Sequence, residues 1–188
     1  MRRVKAGSTA AAGAASGGCR VVVNRAPVLT LWAAVVAQRL GFNRDEALTL
    51  GRVVAGLNAY AKGRSLGIFK PAPVELRRQR AAPGEVLHVD LLRRAVPVVQ
   101  TPDGLRALSK DRPVNPQSVQ HYLEGKFGAA LGAVQEALVA LAHSLPPGEL
   151  AGQAYELYEA FRPEVPPGVS GWGASGVLDL ARVHALAH

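Results

Sequence analysis

The sequence predicts a mainly α protein, a compact bundle of about six helices with one β-hairpin, on three observations. Apolar residues recur at three- and four-residue spacing through most of the chain after residue 24. Proline and glycine clusters interrupt that pattern at intervals of helix length. One turn signature, Thr101-Pro102-Asp103-Gly104, separates two short runs that suit paired strands. Of the 188 residues, 48% are hydrophobic and 19% charged, so the chain has enough apolar surface to offset its conformational entropy.

Residues 1–22 read as a disordered basic tail, and residues 23–188 as a single helical domain. Val21 to Val23 suit either a short strand or a lead into the core. A first helix opens near Pro27, where a proline costs no hydrogen bond, and carries Val28, Leu31, Trp32, Val35, Val36, Arg39 and Leu40 to a stop at Gly41. Asn43 suits the N-cap of a second helix, with Asp45 and Glu46 complementing the helix dipole and an apolar pattern running to about Lys62. Prolines and glycines mark 63–84 as a connector, with only a short helical possibility around Glu75 to Ala82. Val96 to Gln100 and Leu105 to Ser109 flank the turn and form the hairpin, placed at an edge because Pro97 cannot donate to a ladder.

Asn115-Pro116 opens a further helix that ends near Phe127 and Gly128. Leu131, Val134, Leu138, Leu141 and Leu145 form the stripe of the next, closed by Pro146-Pro147-Gly148. A shorter helix carries Leu150, Ala154, Leu157, Tyr158 and Phe161, and a last helix is expected from about Val177. No uninterrupted apolar run reaches the roughly 18–20 residues of a spanning helix, so no membrane partner is expected. The single cysteine, Cys19, has no partner for a disulfide or a thiolate metal site, which suits a reducing cytoplasm.

The net charge of +8 is unevenly placed. Residues 1–112 hold 19 basic and 7 acidic side chains, a net +12; residues 113–188 hold 3 and 7, a net −4. The domain therefore divides into a basic lobe, 23–112, and an acidic helical lobe, 113–188. The densest basic run lies in the connector, where Lys62, Arg64, Lys70, Arg77, Arg78 and Arg80 face Glu75 alone. Charge gathered on one part of a chain points to a polyanion, since phosphate neutralisation supplies most non-specific nucleic-acid affinity. The competing reading is ordinary surface charge in an arginine-rich composition.

Val36, Ala37, Leu40, Gly41, Phe42, Ala47 and Leu50 fall where helix-turn-helix DNA-binding proteins place their small and apolar residues, so residues 33–52 resemble that family. The resemblance implies that the second helix of an N-terminal pair enters the major groove. Asn43, Arg44, Thr49 and Arg52 would then be the outward polar residues nearest bases and phosphates, with Arg39 a phosphate contact from the first helix. The hairpin would act as a wing carrying Arg106 and Lys110. The alternative is a helix pair buried in a core, for which the small residues Ala47, Gly51, Ala55 and Ala59 are suited. The stretch from Phe161-Arg162-Pro163 to Gly171-Trp172-Gly173 looks like uncharacterised bacterial proteins and implies no activity.

Gly171-Trp172-Gly173-Ala174-Ser175-Gly176 spells a dinucleotide fingerprint, but no βαβ unit can be completed around it. His88, His121, His143, His184 and His188 are scattered, without metal-ligand spacing or a nucleophile elbow. No cofactor, metal or catalytic residue is expected. The sequence thus predicts a non-enzymatic, cytoplasmic DNA-binding protein, possible as a homodimer, that contacts the phosphate backbone of duplex DNA through its basic lobe. The alternative is a helical module that self-associates through the Ala47–Ala59 ridge or the Leu131–Leu145 stripe.

Overall fold

A computed structural model describes residues 19–65, 85–169 and 173–188, with the side chains of 62–65 excepted. In chain order the elements are β1 (Arg20–Val23), α1 (Arg25–Arg39), α2 (Arg44–Ser65), β2 (Leu87–Leu91), β3 (Arg94–Thr101), β4 (Gly104–Ser109), β5 (Arg112–Pro113), α3 (Pro116–Phe127), α4 (Leu131–His143), α5 (Pro147–Phe161), β6 (Gly176–Asp179) and α6 (Leu180–Leu186). A 3-10 turn, Gly128–Ala130, joins α3 to α4.

The expected bundle of about six helices with one hairpin is not what forms. Two antiparallel sheets with six strands among the described residues make the protein a mixed α and β structure. One sheet is a four-stranded meander, β2-β3-β4-β5, and the other pairs β1 with β6. The predicted hairpin is present as β3 and β4, with Gly104 at φ +110 closing its turn. Pro97 sits in a central strand, opposite His88 of β2, rather than at an edge. On its β4 side Pro97 is unpaired, because the ladder of β3 with β4 begins at the next residue, with Val98 opposite Ala107.

The expected last helix from Val177 is also replaced. Residues 176–179 form β6, and the helix starts at Leu180, capped by the Asp179 carboxylate accepting from the Ala181 N–H at 3.0 Å. β6 pairs with β1 from Arg20–Asp179 to Val23–Gly176, so part of the range read as a tail is a strand. Val22 and Val177 lie directly opposite each other in that ribbon and are both exposed.

The core is organised around α1, in which every residue from Pro27 to Ala37 is buried. Such a helix is apolar on all sides, and α2, α3, α4 and α5 pack around it. Trp32 is fully buried; its indole N–H donates to the Ala154 carbonyl of α5 at 2.8 Å and its ring meets Phe161 edge-to-face at 5.4 Å. Phe161 in turn meets Tyr158 edge-to-face, whose hydroxyl points at the Arg25 carbonyl. The start of α1 is tied to the chain's last third: Arg25 Nε donates to the Pro163 carbonyl and Asn24 Nδ2 to the Gly173 carbonyl, both at 2.9 Å.

α2 crosses α1 at Gly51. A Cβ there would stand 2.3 Å from the Thr30 carbonyl oxygen and 3.0 Å from the Ala34 nitrogen, both backbone atoms that a side chain cannot push aside. Ala47, Gly51 and Ala55 are all buried against the chain itself, as are Val134, Leu138 and Leu141 of the α4 stripe. The middles of the two stripes suggested for self-association are thus in the core, and their ends, Ala59, Leu131 and Leu145, are half-buried.

Gly51→Ala should lower stability by about 3 kcal/mol in urea unfolding, because α1 must shift to admit one methyl. A change below about 1 kcal/mol would contradict the close crossing. Burial pushes the Tyr158 phenol from its ordinary 10 up to about 12. Its ionised form is the disfavoured one in the fold, so this contribution is intact below pH 10 and is lost as pH rises from 10 towards 12. The loss should reach about 2–3 kcal/mol by the upper end. Tyr158→Phe should show a correspondingly shallower alkaline decline in its urea midpoint than the parent; parallel declines would remove the assignment.

Candidate nucleic-acid interface

The residues that the helix-turn-helix resemblance places at a groove are held where the chain brings β4 and α3 against α2. Gly41 does adopt the left-handed conformation expected of the turn, at φ +110. The polar residues that follow it face the chain's own elements.

Asn43 is an N-cap: its Oδ1 accepts from the Glu46 N–H at 2.9 Å, and Glu46 Oε1 accepts from the Asn43 N–H at 3.1 Å. This reciprocal pair is a capping box and satisfies two backbone donors that a helix start leaves open. Glu46 does more, since its Oε2 accepts from the Leu105 N–H of β4 at 2.9 Å. Its carboxylate joins the helix start to the sheet, and this explains an acid where a DNA-reading helix would avoid one. Thr49 is fully buried; its hydroxyl donates to the Glu46 carbonyl at 2.8 Å and accepts from the Ala107 N–H of β4 at 3.1 Å. Thr49 has no face to offer a base, whereas Asn43 is exposed and commits its Oδ1 to the cap.

Arg39, from the end of α1, donates to the Leu145 carbonyl at 3.3 Å. Arg106, expected on a wing, is only 8% exposed and donates to the Leu105 and Asp103 carbonyls of its own hairpin turn, at 2.9 and 3.2 Å. Lys110 is exposed in the turn joining β4 to β5, followed by exposed Arg112. Arg44 and Arg52 are exposed on α2 and straddle α3. Arg44 donates to Gln120 Oε1 at 3.0 Å, and the Arg52 guanidinium carbon lies over the Tyr122 ring, 4.5 Å from its centroid. Lys126, one turn along α3, places its ammonium 5.9 Å from the same centroid. Burial pushes the Tyr122 phenol above its ordinary range, and the charge and hydrogen bond of Arg52 oppose this in part.

Of the remaining expected contacts, Arg77, Arg78 and Arg80 lie outside the described residues, as do the side chains of Lys62 and Arg64. The same holds for the tail cations Arg2, Arg3 and Lys5 and for Trp172. Sequence reasoning passed over Tyr122 and Lys126 because they fall in the segment of net negative charge. The signal available was their i, i+4 spacing on a helix that begins at Asn115-Pro116.

A shallow notch lies where α1 to α4 meet, with Leu31, Leu48 and Leu123 in its floor and Gln38, Arg44, Gln120 and Gln135 around it. Its polar groups are amides and one guanidinium. Among the described residues no group of three or more His, Cys, Asp or Glu side chains could hold a metal ion, and no helix is long and apolar enough to cross a membrane. No protein-family model, curated protein or solved structure matches the chain.

Thr49→Val keeps the volume but removes the acceptor for the Ala107 N–H, and should cost about 1–3 kcal/mol of stability, with Thr49→Ser retaining much of it. Hydrogen exchange at Ala107 should accelerate in the Val variant. Unchanged stability and exchange would free Thr49 for an outward role.

Proposed function

We propose that this chain is a non-enzymatic nucleic-acid-binding protein that contacts the phosphate backbone through the cations of its basic lobe, without a helix inserted in a groove. The observation that carries the reading is that, among the described residues, little of the basic segment's charge is cancelled by the acidic one. Among the described residues a single ion pair, Arg93 with Glu156 of α5, joins the basic lobe to the acidic one. The Arg162–Glu159, Arg182–Glu164 and His121–Glu124 pairs lie within the acidic lobe.

Apart from Arg93, the exposed cations of the basic lobe stand in no ion pair among the described residues. Arg44 is matched with an amide and Arg52 with an aromatic ring, and Lys110 and Arg112 stand in no ion pair among the described residues. A neutral partner orients a guanidinium without cancelling its field. The basic run from Lys62 to Arg80 adds to this charge by sequence. Such a surface suits phosphate contact, which fixes position on a nucleic acid without reading its sequence.

Duplex DNA binding measured by fluorescence anisotropy should weaken about a thousandfold between 50 and 200 mM salt if about six phosphates are neutralised. The triple variant Arg77→Ala, Arg78→Ala, Arg80→Ala should reduce the magnitude of the log–log salt slope by about three. Absence of binding at low salt, or binding indifferent to salt, would end this reading. An unchanged slope in the triple variant would remove that run from the contact.

A further inference from the structure

On the nucleic-acid reading above, we infer that Arg52, Tyr122 and Lys126 form one subsite for an unpaired nucleotide, with the two cations on its phosphate and the Tyr122 ring against its base. The geometry that points there is the convergence of two cations from different helices on one ring. Arg52 approaches from α2 at 4.5 Å and Lys126 from α3 at 5.9 Å. The negative face of an aromatic ring attracts each cation, but it carries no net charge to offset their mutual repulsion.

The chain supplies no carboxylate to this flank from α3. Glu124 lies between Tyr122 and Lys126 in sequence, yet it is turned to the other side of the helix. There it accepts from Gln120 Nε2 at 2.9 Å and pairs with His121 at 3.5 Å. The Tyr122 hydroxyl does not neutralise the cations either, because a phenol is neutral at ordinary pH and burial disfavours its ionised form further. The subsite therefore carries two positive charges beside a half-buried aromatic surface, with Arg52 and Lys126 themselves exposed.

An anion answers the charge, and a planar apolar group answers the ring. A nucleotide brings both on one short frame. Guanidinium suits this position because it is planar: it can lie on an aromatic face while its edge N–H groups reach a phosphate. Single-strand binders combine the same two elements, a cationic track and aromatic platforms on which successive bases stack. A base within a duplex is already stacked and paired, and reaching Tyr122 would require extruding it. The subsite thus favours single strands, whereas the lobe's wider charge does not distinguish strands.

The test uses the full chain and three labelled probes: an oligothymidine, an abasic oligomer of the same length, and a duplex. Arg52→Gln with Lys126→Gln should weaken oligothymidine binding about tenfold and lower the magnitude of its salt slope by about 0.7, the value for one phosphate of a single strand. Tyr122→Leu keeps an apolar side chain on α3. It should weaken oligothymidine about tenfold, and clearly more than it weakens the abasic oligomer or the duplex, which lose only the ring's support of Arg52. Equal losses for all three probes on Tyr122→Leu would show that no base stacks there and overturn the inference. If salt-dependent binding persists and neither variant differs from the parent, the subsite falls and the wider nucleic-acid reading stands. If no probe binds at low salt, both fall.

Discussion

The burial of α1 on every side is the constraint from which the rest of the architecture follows. Eleven consecutive residues, Pro27 to Ala37, have no solvent-facing position, and a helix is the conformation that lets such a segment satisfy its own backbone while surrounded by apolar side chains. It then needs a complete jacket. α2 provides one wall and can come close only because Gly51 meets the Thr30 carbonyl without a Cβ. α5 provides another, fixed in register by the Trp32 indole on the Ala154 carbonyl. β1, immediately before α1, pairs with β6 near the other end of the chain, so the central helix is held at its start by residues more than 130 positions away.

That jacket decides what α2 can do. One side of α2 lies on α1, Glu46 and Thr49 bind the β4 backbone, and α3 crosses between Arg44 and Arg52. The apolar pattern of residues 33–52 specifies a close helix pair, and the pair forms. The pattern contains no information on whether a sheet will later cover the polar side, because the covering strand lies some 60 residues downstream and its contact is made by backbone N–H groups, which look the same in every sequence. A buried threonine and a groove-facing threonine are spelled alike. The acid at Glu46 was the local sign that something other than phosphate stood nearby.

The legible parts of the fold are those with local causes. The Asn115-Pro116 cap, the helix stops at Gly128 and Pro146, and the turn at Gly104 lie where their residue chemistry requires. β2 was legible and was missed: Leu87, Val89 and Leu91 alternate with His88 and Asp90, the two-residue period of a strand. The turns on either side of the recognised hairpin were not legible. Leu92 and Arg93 both take positive φ, at 46 and 60, as do Lys110 and Asp111, with no glycine among them. Tertiary contacts hold the first of these turns. Leu92 is buried in the core, and Arg93 pairs with Glu156 and lies 5.1 Å from the Tyr155 ring centroid. Local strain of this kind, of order 1–3 kcal/mol per residue, persists only where surrounding structure over-determines it.

The same arginine makes the one ion pair between the basic and acidic segments among the described residues. Where Arg93 meets Glu156, charge is cancelled. Elsewhere the basic lobe meets its guanidinium groups with carbonyls, an amide and a ring, as with Arg25, Arg44, Arg52 and Arg106, while the buried Nε atoms of Arg39 and Arg94 have no hydrogen-bond partner among the described residues. Neutral contacts of this kind orient an arginine while leaving its monopole intact. At physiological ionic strength that monopole is screened over about 8 Å, so its effect is confined to a partner nearly in contact. Folding therefore sets cations of the basic segment at the surface, and at Tyr122 it places one of them, Arg52, beside Lys126 of the acidic segment on one neutral support.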